Sequence, residues 1–562
     1  MEKKLNVAKD FKLFDQSDRM LGGVNVLLIY PPVRLTQQPL YPPFGLLSIA
    51  SVLEKAGAKV EILDLNMRRL TFSELKVELA GRTFDVMGTG GMATVYYYMK
   101  LLAEYFKKEY PQVPIIAGGT ACSGSPAVVA ERTKFDVTVL GEGEPVIIDV
   151  IHALLNKSSL SEVPGIIYKD KSGNLIRTAE RPRMANLEEL PFPAYHLVDM
   201  DKYIANSNIY KIKKNKVSEA RITALNLDRT KANRPIMIFS KRGCPFGCNF
   251  CYRNFGRKVV GMSVQHTLDH MAFLEKKYNT INFIFGDEIF NVDRNWVMEF
   301  CEAIISEKRN YILNVGNGLR ANLVDQEMML KMKEAGFCSV AVGIESFYEP
   351  TLKDMLKGQS TEVIAQAVKV IKSSGFHLSS AQFLFGYPSD GPESMAINVR
   401  MCKELGLKNA GFSIPCPYPG TLLYEKALKE GYLHDEEGWL MELADKDISD
   451  RIINMSGKPD KELKKLIWEA EDEIKLFFIR KDFPILGSAL TILQKIGRKM
   501  NVSSFDVLKG IKDNGKNLLL HGRLPGRMLK SGSANHIHIR DEALDLLKNW
   551  ESGTDLVNHR IN

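Results

Sequence analysis

The stretch Lys241-Arg242-Gly243-Cys244-Pro245-Phe246-Gly247-Cys248-Asn249-Phe250-Cys251-Tyr252 decides how the rest of the chain is read. Gly243, Pro245 and Gly247 forbid regular structure, so this is a loop, and it follows an apolar run of strand length, Ile236 to Ser240. Three thiols between Cys244 and Cys251 can wrap one face of a small iron–sulfur cluster while loop amides point at its sulfurs and one iron stays open. A structural zinc site needs a fourth ligand, and the next cysteine, Cys301, lies about fifty residues on within a helical pattern. A disulfide with a spare thiol is the other alternative. Eight cysteines in 562 residues are too few for a disulfide framework and point to a reduced compartment.

Downstream of the loop, strand candidates alternate with helix candidates. The strands are Ile236 to Ser240, Thr280 to Phe285, Tyr311 to Gly316, Ser339 to Gly343, Ser379 to Gly386 and Gly411 to Pro415. The helices are Val264 to Tyr278, Trp296 to Lys308, Gln326 to Ala335, Thr361 to Ser373 and Glu393 to Leu405. Six such units, with glycine and polar residues after strand upon strand, predict a partial (βα)6 barrel of the TIM type over 235–430, its active site at the carboxyl ends of the strands.

Upstream, Val24 to Tyr30, Lys59 to Leu63, Asp85 to Gly88, Pro114 to Ala117 and Asp136 to Leu140 read as strands between helical stretches, which predicts a doubly wound, Rossmann-like parallel sheet over 1–154. Its strand ends are glycine-rich: Gly88-Thr89-Gly90-Gly91-Met92-Ala93-Thr94, Gly118-Gly119-Thr120-Ala121-Cys122-Ser123-Gly124 and Gly141-Glu142-Gly143-Glu144. Such loops bring bare backbone close to a large flat or anionic ligand, although glycine at strand ends is also ordinary turn chemistry. Residues 155–234 read as a linker with small β-structure, including a hairpin around Lys171-Ser172-Gly173-Asn174 and the segment Leu190-Pro191-Phe192-Pro193-Ala194-Tyr195. Residues 431–562 read as a helical domain, with helices at Lys461 to Ile479, Ala489 to Met500 and Phe505 to Asn514 and a basic loop from His521 to Lys530.

Bulk composition narrows the class. Hydrophobic residues at 45% and charged residues at 25% are those of a folded soluble protein. The net charge of +8 is spread out, and its densest run, Lys211-Ile212-Lys213-Lys214-Asn215-Lys216, suits a solvated loop, so no nucleic-acid partner is expected. The N-terminus has no apolar signal core, and no apolar run reaches the roughly 18 residues of a membrane span, so the chain is expected in the cytoplasm.

With these elements in place, Cys-x3-Cys-x2-Cys after the first strand of a partial barrel resembles the radical S-adenosylmethionine superfamily. The resemblance implies a [4Fe–4S] cluster on Cys244, Cys248 and Cys251, with S-adenosylmethionine chelated to the open iron. It further implies that Phe250 packs on the adenine and that Gly286-Asp287-Glu288 binds the methionine ammonium. Asn317 and Arg320 would make third-strand polar contacts, Glu345 would face the ribose or the methionine end, and Gly386 would lie beside the adenine. The barrel preceded by a glycine-looped α/β domain is similar to the class B enzymes, whose N-terminal domain binds cobalamin. That places Gly90, Gly91, Met92, Thr94, Gly118, Gly119, Thr120, Gly141, Glu142 and Gly143 around the corrinoid. The Asp-x-His-x-x-Gly loop of cobalamin mutases is absent, and no histidine precedes His152.

The implied reaction is cleavage of S-adenosylmethionine to a 5′-deoxyadenosyl radical, abstraction of hydrogen from an unactivated carbon, and methyl transfer from methylcobalamin. The alternative is a cyclase, or an enzyme forming carbon–carbon bonds in lipids or tetrapyrroles. RNA methylthiolation would need an N-terminal cluster with three cysteines, where only Cys122 lies, and a cobalamin or redox sensor would not cleave S-adenosylmethionine. A small-molecule or lipid-like substrate and an electron donor of the flavodoxin or ferredoxin type are the expected partners. Cys416, at the end of the sixth strand, is a candidate catalytic hydrogen donor or ligand; Cys122 lies in a cobalamin loop; Cys301, Cys338 and Cys402 read as core.

Overall fold

The run Asn25-Val26-Leu27-Leu28-Ile29-Tyr30 is apolar on both faces, as a strand covered by helices on both sides must be. The computed structural model describes residues 20–33, 35, 38–156, 159–207, 215–378, 381–445 and 453–482. The run forms β1 (Asn25–Tyr30), its four central residues buried. With β2 (Lys59–Asp64), β3 (Val86–Gly90), β4 (Ile115–Gly118) and β5 (Val137–Val139) it builds a parallel sheet in the order β2-β1-β3-β4-β5. The connections depart in opposite senses from β1 and β3, which opens a crevice at their carboxyl ends.

The expected hairpin is present as β6 (Ile166–Lys169) and β7 (Leu175–Arg177), its turn held by Asp170 Oδ1, which accepts the Ser172 and Asn174 amides at 2.8 Å each. It does not stand apart in a linker. β6 pairs antiparallel with β5, so the sheet has seven strands and its last two are antiparallel, covering an edge that β5 would otherwise expose. Beside the hairpin, this region carries helices that the linker reading did not include. The helices Met200–Asn206, Lys216–Leu225 and Arg229–Ala232 are each opened by a side-chain cap, from Asp199, Asn215 and Asp228. Lys211 to Lys214 of the basic run lie outside the described residues.

The second alternation begins with β8 (Pro235–Ile238), followed by a two-strand antiparallel ribbon of β9 (Lys241–Arg242) and β10 (Val260–Gly261). β11 (Asn282–Phe285), β12 (Ile312–Val315), β13 (Phe337–Val340) and β14 (His377–Leu378) extend β8 into a parallel sheet ordered β14-β13-β12-β11-β8. β15 (Ala381–Leu384) and β16 (Ala410–Ser413) pair with each other and continue the partial barrel through the bridge Glu345–Phe383. The fifth expected strand, Ser379 to Gly386, thus contains β15, while β14 on the main sheet lies just before it.

One apolar core runs from β1 through the helix Phe44–Lys55 into the barrel. A second covers the opposite face of the first sheet and takes in Trp439, Leu440 and Leu443 of the helix Glu436–Asp445. Lys100 Nζ and Glu437 Oε1, 2.6 Å apart, join that helix to the first sheet's layer. The helix Asp460–Asp482 buries Leu463, Ile474 and Phe478 in the core shared with the barrel, and Glu471 Oε1 accepts the Phe412 amide at 3.1 Å on β16. The other C-terminal helices expected, Ala489 to Met500 and Phe505 to Asn514, and the basic loop His521 to Lys530 lie outside the described residues. Among the described residues no helix is long and apolar enough to cross a membrane.

Candidate active site

Ribbon β9–β10 brings the ends of the cysteine loop together, so that residues 243–259 leave and return at one point. Gly243 sits at φ +99° with the Lys258 carbonyl where a Cβ would be, and the Cys244 amide donates to Gly256 O at 3.1 Å. Asn249 stitches the loop to the rest of the cleft. Its amide donates to Met355 O at 3.0 Å, its Nδ2 to Asp354 O at 2.6 Å, and its Oδ1 accepts the Tyr387 hydroxyl at 2.9 Å. All eight cysteines are free, and among the described residues no three His, Cys, Asp or Glu side chains are placed to grip one metal ion. Desolvation by the surrounding protein, then the neighbouring thiols, push the Cys251 thiol up to about 12 although it reaches the surface, and desolvation lifts Cys244 as well. Such thiols become ligands only opposite a strong cation.

The acidic turn after β11 divides its labour. Asp287 does not offer itself to a ligand: it is fully buried, and it accepts the Ser240 amide at 2.6 Å, the Ser240 hydroxyl at 2.5 Å and the Lys241 amide at 3.1 Å. It pins the entry to the cysteine loop. Glu288 accepts the Asn254 amide at 3.1 Å through Oε1, while its Oε2 is buried without a partner. Burial raises its carboxyl pKa. An orphaned carboxylate oxygen near the Cys244 and Cys251 thiols fits an ammonium group. Asn317 holds the same turn, its Nδ2 donating to Gly286 O at 2.6 Å and Asp287 O at 3.2 Å.

Arg320 lies against the cysteine loop. It stacks over Phe246 at 3.9 Å, donates to Cys248 Sγ at 3.6 Å and to the Lys357 and Gly358 carbonyls, and so braces the cysteine loop. Glu345 takes a left-handed φ of +61° and pairs with buried Lys357, Nζ to Oε1 3.1 Å; Lys357 Nζ also lies 5.9 Å from the Phe250 ring centroid. The Gly386 amide donates to Asp390 Oδ2 at 2.8 Å.

A cavity of about 530 Å³ opens at the carboxyl ends of β1, β3 and β4 and is walled by both domains. Gly90, Gly91, Met92, Gly118, Gly119, Thr120, Gly141, Glu142 and Gly143 line it. A Cβ at Gly90 would meet Gly118 O at 2.8 Å, and one at Gly119, φ +88°, would meet Gly91 O at 2.6 Å. The loops close on each other and leave bare backbone against the cavity, a cradle that fits a broad planar group such as a corrinoid. Thr94 is not in this lining; it is buried, with its hydroxyl unpartnered. Lys241, Arg242, Asn254 and Phe255 face the cavity from the cysteine loop, and His266 and His270 from the helix Val264–Tyr278. His270 stacks on Phe192 at 4.6 Å and shares a 3.2 Å hydrogen bond with the Tyr195 hydroxyl.

Cys122 is fully buried, with its thiol raised by burial, so it belongs to the packing beneath its loop and does not line the cavity. Cys416 is half-buried against the second core and does not line the cavity. Cys301, Cys338 and Cys402 are buried in the first core. Sequence reasoning missed Asn249, Lys357 and Arg242. Asn249 had a signal, a polar amide between two cysteines that are otherwise flanked by Gly, Pro and Phe. Arg242 had none, because Glu142 and Glu144 lie 100 and 98 residues back in the chain, and Lys357 had none, because the helix Glu349–Asp354 separates it from Glu345.

Residues 238–417 match the Radical SAM superfamily model and residues 32–151 the B12 binding domain model. An uncharacterised methyltransferase of Pyrococcus horikoshii is 27% identical over 417 residues, covering 73% of this chain and 84% of the relative. An anaerobic magnesium-protoporphyrin IX monomethyl ester cyclase of Rubrivivax gelatinosus is 23% identical, covering 69% and 66%. In fold, the chain is similar to the radical S-adenosylmethionine methyltransferase TsrM of Kitasatospora setae with cobalamin and a [4Fe–4S] cluster bound. The TM-score is 0.57 at 19% identity, over 72% of this chain and 78% of that one. A thiol loop closed by a ribbon, an acidic turn with a free oxygen, a glycine cradle whose cavity Asn254 and Phe255 of that loop also line, and the two family models together place this chain among the class B radical S-adenosylmethionine enzymes, which work with a [4Fe–4S] cluster, S-adenosylmethionine and cobalamin.

Proposed function

We propose that this chain transfers a methyl group to an unactivated carbon of a small-molecule or lipid-like substrate. The observation that carries the reading is the shared cavity, lined at once by the glycine cradle of the first domain and by the cysteine-loop residues Lys241, Arg242, Asn254 and Phe255. When bound, the cluster with S-adenosylmethionine supplies the hydrogen-abstracting radical and the corrinoid supplies the methyl group. The chain itself supplies placement. Cys244, Cys248 and Cys251 would hold the cluster, and Glu288 Oε2 would accept the methionine ammonium. Phe250 would lie against the adenine, with Glu345 held in register by Lys357 at the ribose or methionine end and Gly386 beside it. Asp287, Asn317 and Arg320 act one step back, fixing the turn and the loop that carry these groups. The apolar walls, Leu28, Ile49, Ile116 and Val139, keep water from the reacting carbon.

On this reading residues 1–154 form the cobalamin unit, 155–234 the connection, 235–430 the barrel and 431–562 a helical domain. The electron is supplied by a flavodoxin or ferredoxin type donor, and a cytoplasmic location suits eight free cysteines. Cyclisation is the second reading, favoured by the 23% identity to the magnesium-protoporphyrin cyclase. The deciding experiment feeds S-adenosylmethionine labelled in its methyl group to the reconstituted enzyme with extracts of candidate substrates. Label in a carbon-bound methyl of the product supports methyl transfer. Turnover that forms deoxyadenosine and an unlabelled, dehydrogenated or cyclised product replaces it with the cyclase reading.

A further inference from the structure

Arg242 joins the two halves of the cavity. It is the last residue of β9 and stands directly before Gly243-Cys244. Its Nη1 lies 3.1 Å from Glu142 Oε1 and its Nη2 2.6 Å from Glu144 Oε1. Glu144 Oε1 also accepts the Ser48 hydroxyl at 2.7 Å, and Glu142 Oε2 accepts the Met184 amide at 2.9 Å and faces Arg183 Nε at 3.6 Å. The guanidinium lies over the Phe255 ring at 4.7 Å. The three charged side chains are only 15%, 5% and 7% exposed.

Both glutamates belong to the loop after β5 whose glycines line the cavity. Charges buried this deeply tolerate few arrangements, because moving one away leaves another uncompensated. On the far side of Arg242 the chain has no slack either: Gly243 is held at φ +99° against the Lys258 carbonyl.

We propose that Arg242 is a positioning residue that couples occupancy of the Gly141–Glu144 loop to the conformation of the cysteine loop, so that corrinoid and cluster bind cooperatively. The inference rests on the cobalamin reading given above. A corrinoid seated on the glycine amides fixes the two carboxylates, the carboxylates fix the guanidinium, and the guanidinium fixes the point at which the cysteine loop starts. Linkage makes the effect reciprocal: the cluster raises corrinoid affinity by the factor by which the corrinoid favours the cluster.

The test titrates hydroxocobalamin into the full-length chain before and after anaerobic reconstitution of the cluster, reading affinity from the absorption spectrum. In the wild type reconstitution tightens binding about fivefold or more, the lower end of common coupling factors. In Arg242→Met hydroxocobalamin still binds but the ratio falls to near one, and Arg242→Lys restores part of it. An equal ratio in wild type and Arg242→Met overturns the proposal, as does the absence of any ratio in the wild type. If Arg242→Met does not fold, Glu144→Gln, which weakens the same pair, is read by the same criterion. Wild-type protein that binds no hydroxocobalamin refutes the cobalamin reading and the coupling together; binding without coupling refutes the coupling alone.

Discussion

At the scale of single residues, two adjacent carboxylates with the same sequence signature do different work. Asp287 and Glu288 were indistinguishable in the chain, because nothing local says that one points back at Ser240 and the other ends in an unpartnered oxygen. Glu288→Gln is therefore expected to weaken S-adenosylmethionine binding to the cluster-loaded enzyme about tenfold, the loss of one charge-assisted hydrogen bond of roughly 1.5 kcal/mol, read by equilibrium dialysis. The cysteine trio, by contrast, was legible at once, since the spacing of the thiols and the breakers between them carry the whole message. His270 makes a separate prediction. Burial pushes its imidazole down to about 3, while an unfolded histidine takes up its proton near 6.5. Above pH 6.5 neither state is protonated and the group has no effect. As pH falls below 6.5 the unfolded state gains protons that the folded state refuses, so stability drops by about 1.4 kcal/mol per pH unit over that window. Urea denaturation at pH 7.5 and 5.5 should show the drop, and His270→Gln, which can still meet the Tyr195 hydroxyl, should reduce it.

At the scale of elements, the strands and helices of both alternations were readable because each carries its own periodicity. The hairpin β6–β7 was readable too, but its docking on the first sheet was not, since whether a hairpin stands alone or docks on an edge depends on β5. The glycine loops are elements whose conformation is their function. Gly119→Ala places a methyl 2.6 Å from Gly91 O at φ +88°, and the strain of a left-handed L-residue alone is about 1–2 kcal/mol. It should lower hydroxocobalamin affinity more than it lowers the unfolding free energy, a split that spectral titration and urea denaturation measure separately. The helix Asp460–Asp482 guards the edge of β16. Ile474→Ala, which removes a fully buried side chain, should cost about 2–5 kcal/mol in urea denaturation.

At the scale of the whole molecule, what was legible was the order of the parts and what was not was their contact. A Rossmann-like unit before a barrel follows from two alternations; a single cavity walled by both follows from Glu142, Glu144 and Arg242, which only the folded chain brings together. In that arrangement the glycine cradle and the thiol loop address one small apolar space. The central claim, that Cys244, Cys248 and Cys251 hold a cluster that opens S-adenosylmethionine, is met most directly by 5′-deoxyadenosine formation after anaerobic reconstitution with iron, sulfide and a strong reductant. The wild type should form deoxyadenosine, and the Cys244→Ala, Cys248→Ala, Cys251→Ala triple variant should form none; retained cleavage in the triple variant would contradict the account.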